Sequence, residues 1–273
     1  TNNATASIIT KMIKENFDPR QISVVNGAVD ETSKLLEQKF DHIFYTGNGH
    51  VGKIVMRQAA NHLTPVTLEL GGKSPCVVAG KPDMKVTAKR IAWGKWFNAG
   101  QTCVAPDYIL VEKGLKDEFL RELTSAVSDF YTQNPIESND YGKIINQRHF
   151  DRLTGLFKKE DVIFGGQSDR EKSFLAPTII SADFNHPIMQ DEIFGPILPV
   201  IEVDTFDSAL QVIARRDHPL AAYLFSGDDQ MLKDFSLKVE SGGICLNDCL
   251  MHLSNPDLPF GGKGPSGMSA YHG

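Results

Sequence analysis

A regular alternation of helix-like and strand-like segments is the feature that most constrains the fold of this chain. In the first seventy residues, helices are predicted at 4–17, from 30 and from 49, with strands at 22–25, 42–45 and 66–68 between them. Beyond residue 71, helices are predicted at 84–97, 116–131 and 147–158 and from 204 and 228, with strands at 197–203 and 221–225. Such alternation is typical of βαβ units around a parallel sheet. The predicted fold class is therefore α/β.

Charge and cysteine usage narrow the class of protein. The net charge of the 273-residue chain is −6 and its basic residues are scattered, which disfavours a nucleic-acid partner. No apolar run reaches the roughly 18 residues that span a membrane, and the first residues do not resemble a secretory signal. We therefore expect a reducing compartment, in which Cys76, Cys103, Cys245 and Cys249 are free thiols. Because no second pair of ligands accompanies Cys245 and Cys249, no metal site is predicted.

Cys103 has the sequence setting of a nucleophile. It ends the run Phe97-Asn98-Ala99-Gly100-Gln101-Thr102-Cys103, where small and polar residues replace the large apolar neighbours of a structural cysteine. A reactive thiol must be partly exposed and have a stabilised thiolate. Its own backbone N–H can donate to an oxyanion, and Asn98 is expected to shape the loop. The alternative is a small cysteine buried in the core.

Glu69 is the candidate general base. It lies between two leucines in Thr67-Leu68-Glu69-Leu70-Gly71-Gly72-Lys73, at the end of a strand-like stretch. A carboxylate with a raised pKa, held near the nucleophile, can remove a proton from water or from the thiol. The alternative is a glutamate that faces solvent on an edge strand, because strand alternation places it opposite its leucine neighbours.

Two loops are candidate ligand sites. The turn Gly47-Asn48-Gly49-His50-Val51-Gly52 follows a strand and opens a helix, so its backbone N–H groups suit a pyrophosphate. Its spacing departs from GxGxxG, and an ordinary strand-to-helix turn is the alternative. Glu192 and Phe194 lie in a second loop, stiffened by Pro187 and Pro196, which presents a carboxylate and an aromatic face. The alternative there is a surface loop anchored by its phenylalanine.

Five blocks, taken together and in this order, resemble the aldehyde dehydrogenase superfamily. Their wording is closest to the class 3 or fatty-aldehyde branch, notably at 41–48, 63–75 and 267–273. The blocks are Phe44-Tyr45-Thr46-Gly47, Leu68-Glu69-Leu70-Gly71-Gly72-Lys73, Gly100-Gln101-Thr102-Cys103, Glu192-Ile193-Phe194-Gly195-Pro196 and Pro259-Phe260-Gly261-Gly262-Lys263-Gly264-Pro265-Ser266-Gly267.

The resemblance implies a domain organisation. Residues 1–68 are expected to form part of a Rossmann-like NAD(P)-binding domain, residues 69–250 an α/β catalytic domain, and residues 251–273 a segment that returns to the cofactor or oligomerisation region. The chain opens on a helix, whereas a sheet of this type begins with a strand, so an N-terminal truncation is expected. By the resemblance, an oxyanion asparagine and adenosine-ribose contacts lie upstream, and activity of this chain alone is therefore not expected.

The resemblance also implies a reaction and its site. An aldehyde, medium- or long-chain aliphatic or aromatic, is oxidised to a carboxylic acid with NAD, or alternatively NADP, through a thiohemiacetal and thioester on Cys103, and Glu69 activates water. Asn98 and Phe260 are expected at the substrate pocket, and Lys73 and Asn247 are expected to be structural supports. The residues expected at the cofactor are Thr46, Gly47, Asn48, Gly49, His50, Val51, Gly52, Leu70, Gly71, Glu192 and Phe194.

Partners and alternatives follow from the same resemblance. A homodimer is expected, in the cytoplasm or at the periphery of an intracellular membrane, with membrane contact only through a C-terminal tail of the fatty-aldehyde branch. A CoA-acylating semialdehyde dehydrogenase is the alternative enzyme, although Glu69 as a hydrolytic base argues against it. A non-catalytic fragment that retains the fold is the alternative from another class.

Overall fold

A computed structural model describes residues 3–272 of the chain. The helices are α1 Asn3–Asn16, α2 Val29–Leu36, α3 Gly49–Ala60, α4 Met84–Trp96, α5 Lys116–Tyr131, α6 Gln147–Thr154, α7 Phe206–Ala214 and α8 Asp229–Lys238. The strands are β1 Ile43–Thr46, β2 Val66–Glu69, β3 Pro75–Val78, β4 Tyr108–Glu112, β5 Val162–Phe164, β6 Ser168–Asp169, β7 Phe174–Leu175, β8 Thr178–Ser181, β9 Ile197–Val203, β10 Ala221–Phe225, β11 Gly243–Leu246 and β12 Gly267–Met268. The α/β class predicted from the sequence is confirmed.

The larger sheet forms the core of the molecule. Its seven strands run in the order β11-β10-β3-β4-β9-β8-β5, and every pair is parallel except β5 with β8. Strands β3 and β10 are buried along their whole length, as expected for parallel strands covered on both faces. Helices α4 and α5 pack against each other, while α7 contacts β9 and α8 contacts β10.

A smaller sheet joins the two ends of the chain. Strand β1 is parallel to β2, and β12 is antiparallel to β2, with Gly267 paired to Glu69. The backbone N–H of Leu70 donates to the carbonyl of Ser266 at 3.1 Å. The C-terminal segment therefore returns to the strand that carries the candidate base.

Several predicted elements differ from the structure. The strand predicted at 22–25 is wrong: this segment pairs with no strand of the described residues, and Val25 is 61% exposed. The helix predicted at 147–158 ends at Thr154, because Gly155 caps it. Strands β3 and β4 were not predicted, since short strands that are buried on both faces show no alternation.

Other features bear on the class of protein. All four cysteines are free thiols, and Cys76 and Cys249 are buried. Within residues 3–272, no group of three or more His, Cys, Asp and Glu side chains has the arrangement of a metal site. Over the same range, no helix is both long enough and apolar enough to cross a membrane.

Candidate active site

The loop that carries Cys103 begins with a left-handed turn. Helix α4 ends at Trp96, and Asn98, Ala99 and Gly100 then have φ values of 53°, 52° and 71°. This conformation is unfavourable for residues other than glycine because the Cβ approaches the following carbonyl oxygen. The side chain of Asn98 donates to the carbonyl of Gln101 at 3.0 Å, which supports its predicted role in shaping the loop.

Cys103 is partly buried at the edge of the main core. Burial, together with the negative charges of Glu192 and Glu69, raises the pKa of its thiol to about 11, while the backbone N–H groups of Cys103 and Val104 oppose the rise. The expectation of a stabilised thiolate is therefore wrong for this structure. Two nearby carboxylates and no adjacent cation leave the thiol protonated, so it needs a base to remove its proton.

Glu69 does not face solvent, so the alternative of an exposed strand glutamate is wrong. Glu69 is only 3% exposed, at the end of β2 where β12 pairs with that strand. Within the part of the chain that the structure describes, neither carboxylate oxygen has a hydrogen-bond partner. Burial raises the pKa of Glu69 to about 7. A carboxyl group in this state can accept a proton near neutral pH.

The Glu192 loop is held against the loop that follows Glu69. Glu192 accepts a hydrogen bond from the backbone of Gly72, and its carboxylate lies so close to Gly71 that a Cβ there would overlap both oxygens. Burial raises the pKa of Glu192 to about 7, and the charge of Asp107 adds to the rise. Only glycine at position 71 permits this approach.

A buried ion pair that sequence analysis missed fixes the same loop. Asp107 accepts from Lys73 at 2.5 Å and from the backbone N–H of Ile193 at 2.9 Å. Lys73 also donates to the carbonyl oxygens of Ile188 and Asp191, both at 2.9 Å, which confirms its prediction as a structural support. No sequence signal marks Asp107, because its partners are distant along the chain.

Arg152 and Lys95 also escaped prediction. Arg152 donates to the carbonyl of Ile193 at 2.6 Å from the far side of the loop. Lys95 is 1% exposed, and burial lowers its pKa to about 8, although the charges of Asp107 and Glu192 oppose this shift. Lys95 lies on a face of α4 that is otherwise apolar. A charged residue at such a position interrupts the helical pattern, and this interruption is the sequence signal that could have identified Lys95.

The Cys103 and Glu192 loops dock on each other through their backbones. A Cβ at Gly100 would overlap the carbonyl oxygen of Gly195, so glycine is required for the approach. The indole N–H of Trp96 donates to the carbonyl of Pro196 at 2.8 Å. In the Glu192 loop, Phe194 directly precedes Gly195; it has a φ of 47° and is 37% exposed. The structure thus brings the predicted nucleophile and the Glu192 loop to one place.

The glycine-rich turn lies beside Glu69. The N–H of Gly47 donates to the carbonyl of Glu69 at 3.0 Å, and Thr46 pairs with Glu69 in the sheet. The side chain of Asn48 caps α3 by accepting from the N–H of Val51 at 3.0 Å. A Cβ at Gly52 would lie 2.9 Å from Leu70, which packs the start of α3 on that strand end. His50 is exposed, and Val51 packs beside Leu68 and Leu70.

A cavity of about 690 Å³ connects three of the predicted cofactor residues, Gly49, Gly71 and Glu192. Lys73, Arg215 and Arg216 also line it, together with Asp191 and Asp217, so its walls carry charges of both signs beside the Glu192 carboxylate. The positive end of α3, marked by Gly49, faces the same space. This arrangement suits an anionic ligand that also presents hydroxyl groups.

The two predicted substrate-pocket residues lie on different surfaces. Asn98 lines a separate cavity of about 780 Å³, together with Trp93, Phe97, Phe130 and Tyr141. Phe260 packs among aromatic rings instead, with centroid distances of 6.3 Å to His252 and 5.9 Å to Tyr271 and His272.

Asn247 directly follows β11 and bonds to Ser226, which directly follows β10. Its side chain accepts from the backbone N–H of Ser226 at 2.8 Å and donates to the Ser226 carbonyl at 3.0 Å. The prediction of a structural support is confirmed.

The fold and the site define an α/β protein with a partly buried thiol, a buried carboxyl group and a cavity lined in part by glycines. Comparison with known proteins makes the assignment specific. The chain belongs to the aldehyde dehydrogenase family, whose sequence pattern matches residues 1–273. The resemblance seen in the five sequence blocks is confirmed.

Relatives and solved structures agree with the family. The chain is 50% identical over 270 residues to "Aldehyde dehydrogenase family 3 member A2" of Mus musculus, covering 98% of this chain and 56% of that protein. It is 48% identical over 269 residues to "Aldehyde dehydrogenase, dimeric NADP-preferring" of Mus musculus, covering 98% and 59%. The chain therefore spans less than two thirds of the length of either relative.

Two solved structures are similar throughout the chain. "Substrate bound state of Staphylococcus Aureus AldH" matches with a TM-score of 0.96 and 45% identity, covering 98% of this chain and 59% of that one. An aldehyde dehydrogenase of Mycobacterium tuberculosis complexed with NAD+ matches with a TM-score of 0.87 and 27% identity, covering 99% and 58%.

Proposed function

We propose that this chain carries the catalytic residues for oxidation of an aldehyde to a carboxylic acid, with Cys103 as nucleophile and Glu69 as general base. One observation carries the proposal: Glu69 is buried without a partner, its pKa is about 7, and its charge acts on the Cys103 thiol. A buried carboxylate without a hydrogen bond is costly to the fold, which supports a role in chemistry.

The chemistry follows from the state of each group. The thiol of Cys103 is protonated near neutral pH, so Glu69 accepts its proton as the sulfur bonds to the carbonyl carbon. The backbone N–H groups of Cys103 and Val104, which already face the sulfur, stabilise the developing oxyanion. After hydride leaves that carbon, a thioester remains. Glu69 releases the thiol proton to solvent and then removes a proton from water, whose oxygen attacks the thioester; the Cys103 sulfur leaves and regains a proton from Glu69 as the acid is released.

The residues around the cavity of about 690 Å³ fit a nicotinamide dinucleotide. Glu192 offers a carboxylate for ribose hydroxyls, and Gly49, at the start of α3, leaves open space for a phosphate. NAD, or alternatively NADP, supplies the hydride acceptor when bound. A relative that is named NADP-preferring and a similar structure complexed with NAD+ both support this choice. The predicted set 46–52, with Leu70, Gly71, Glu192 and Phe194, is retained as the proposed cofactor site.

Aromatic surface beside the start of the Cys103 loop supports an apolar aldehyde. Trp93 and Phe97, 39% and 51% exposed, line the cavity that contains Asn98, which Asn139 and Asp140 also line, and Phe260 belongs to an aromatic cluster. Apolar surface of this kind binds hydrocarbon without selecting a single chain length. We propose a medium- or long-chain aliphatic or an aromatic aldehyde.

Assembly and domain organisation are part of the same proposal. A relative named as dimeric supports a homodimer. We place the border of the cofactor domain near residue 69, between the two sheets, and assign 251–273 to the cofactor or oligomerisation region, because β12 joins β2.

The test separates the two catalytic roles in the full-length protein by rapid mixing with NAD and a long-chain aldehyde. Cys103→Ser is expected to form no NADH, since a serine hydroxyl is far less ionised than a thiol and no histidine base adjoins the site among the described residues. Glu69→Gln is expected to form a small first equivalent of NADH, more slowly than the parent because the thiol must lose its proton to solvent, and then to stall at the thioester. An exposed carboxylate, Glu202, provides the control Glu202→Gln, which should behave like the parent.

Two outcomes would contradict the proposal. Turnover of Glu69→Gln at the parent rate would show that another group is the base. Acyl-CoA formed in place of the free acid, when CoA is added, would favour the acylating alternative instead of hydrolysis.

A further inference from the structure

The backbone that leads to Cys103 is held in an unfavourable conformation by contacts outside its own loop. Asn98 and Ala99 have left-handed φ values of 53° and 52°, and Ala99 is fully buried. Residues other than glycine leave this region unless surrounding contacts hold them there. Some group must therefore restrain this turn.

Gln101 provides that restraint. Its side-chain Nε2 donates to the carbonyl oxygens of Asn98 at 3.1 Å and Lys143 at 3.0 Å. Its Oε1 accepts from the backbone N–H of Ile145 at 2.9 Å. One carboxamide thus uses both of its N–H groups and its oxygen to join the left-handed turn to the segment 143–145.

The segment on the far side of Gln101 is itself firmly anchored. Ile144 is buried, and its N–H donates to the carbonyl of Ser173 at 2.8 Å. Directly after it, the side chain of Asn146 caps α6 by accepting from the N–H of His149. A Cβ at Gly142 would lie 3.6 Å from the backbone of Ala99, so this segment also packs on the turn.

The other end of the catalytic loop has a separate restraint. The hydroxyl of Tyr223, a buried residue of β10, donates to the carbonyl of Val104 at 2.5 Å. Cys103 therefore lies between two fixed points, Gln101 on one side and Val104 on the other. Its thiol faces the backbone N–H groups of Cys103 and Val104.

We infer that Gln101 is a positioning residue for Cys103: its carboxamide clamps the left-handed turn to segment 143–145 and so fixes the thiol beside its N–H donors. This inference rests on the proposed function, in which Cys103 is the nucleophile. Loss of the clamp allows the turn to relax, which exposes the thiol. Reactivity toward a reagent in solution then rises at Cys103 alone.

The test uses the full 273-residue chain and iodoacetamide, with peptide mapping to give the alkylation rate of each cysteine. Gln101→Met keeps the length of the side chain and removes all three hydrogen bonds. Gln101→Glu removes the two donated bonds and places a charge against two carbonyl oxygens. Each variant is expected to raise the Cys103 rate about tenfold, the effect of losing roughly one net hydrogen bond.

The chain offers internal and matched controls. Cys76 and Cys249 are buried in the core and report general loosening of the structure. Gln147 also joins two backbone segments, through bonds from its Nε2 to the carbonyl of Arg170 and the hydroxyl of Ser173, so Gln147→Met is the matched substitution. Neither the core cysteines nor Gln147→Met should change the Cys103 rate.

The outcomes separate the inference from the function on which it rests. An unchanged Cys103 rate in both Gln101 variants, or a parallel rise at Cys76 and Cys249, overturns the clamp. If Cys103 is alkylated more slowly than Cys245 in the parent, only the assignment of Cys103 as nucleophile is contradicted. The clamp is still measured, because it is read from the ratio of the Cys103 alkylation rate in the variant to that in the parent. If a variant fails to fold, the other variant supplies the comparison.

Discussion

Replacing Glu69 by glutamine should remove a pH-dependent cost from the folded state. Its pKa rises from 4.5 to about 7 on burial. Between these values the folded chain binds more protons than the unfolded chain, so the free energy of unfolding falls as the pH rises. The loss is complete above pH 7, where the carboxylate is charged in both states. Below pH 4.5 the group is neutral in both, and the loss is absent.

The size of the effect follows from the same shift. At about 1.36 kcal/mol per pKa unit, the rise corresponds to roughly 3 kcal/mol as an upper bound. Protein relaxation and water penetration reduce this to about 1–2 kcal/mol. Glu69→Gln retains the shape of the side chain without its charge. The variant should therefore match the parent near pH 4 and be more stable by about 1–2 kcal/mol at pH 8.

Urea unfolding followed by circular dichroism, from pH 4 to 8.5, measures the difference between variant and parent. The difference in unfolding free energy between variant and parent isolates the contribution of Glu69. Glu192, with a pKa of about 7, gives both proteins the same dependence of stability on pH. Glu202→Gln, on the exposed face of β9, should give a flat difference. A flat difference for Glu69→Gln as well would refute the argument that its carboxylate is buried without a partner.

Two further predictions test the docking of the loops by urea unfolding. Gly100→Ala should destabilise by about 2 kcal/mol or more, because the Cβ overlaps the Gly195 carbonyl in addition to the strain of a φ of 71°. Gly114→Ala, with a φ of 85° and open space, should lose only about 1 kcal/mol, and equal losses would argue against the overlap. Asp107→Ala should destabilise by about 3 kcal/mol, because it leaves a buried lysine without its partner. Asp129→Ala, at an exposed ion pair of 3.9 Å, should change stability by less than about 0.5 kcal/mol, and a similar loss in both variants would contradict the role given to Asp107.

The local sequence pattern was sufficient to predict the α/β fold class and the residue types of the candidate site. Helical periodicity placed α4 and α5 within a residue of their observed ends, because amphipathic helices are encoded by neighbours in sequence. The blocks around Glu69 and Cys103 are contiguous, so the family could be inferred from them directly. The strand predicted at 22–25 failed for the opposite reason, since an apolar stretch becomes a strand only when another strand pairs with it.

The state of the site residues was decided by the tertiary structure alone. Glu69 is buried and has no hydrogen-bond partner among the described residues, at a strand end that pairs with β12, nearly two hundred residues later. Cys103 has a raised pKa because folding buries its thiol and brings two carboxylates near it. The pairing of Lys73 with Asp107 likewise depends on how the strands are arranged. Sequence determines which groups are available, whereas burial and long-range pairing determine their charge, since both depend on residues that are distant along the chain.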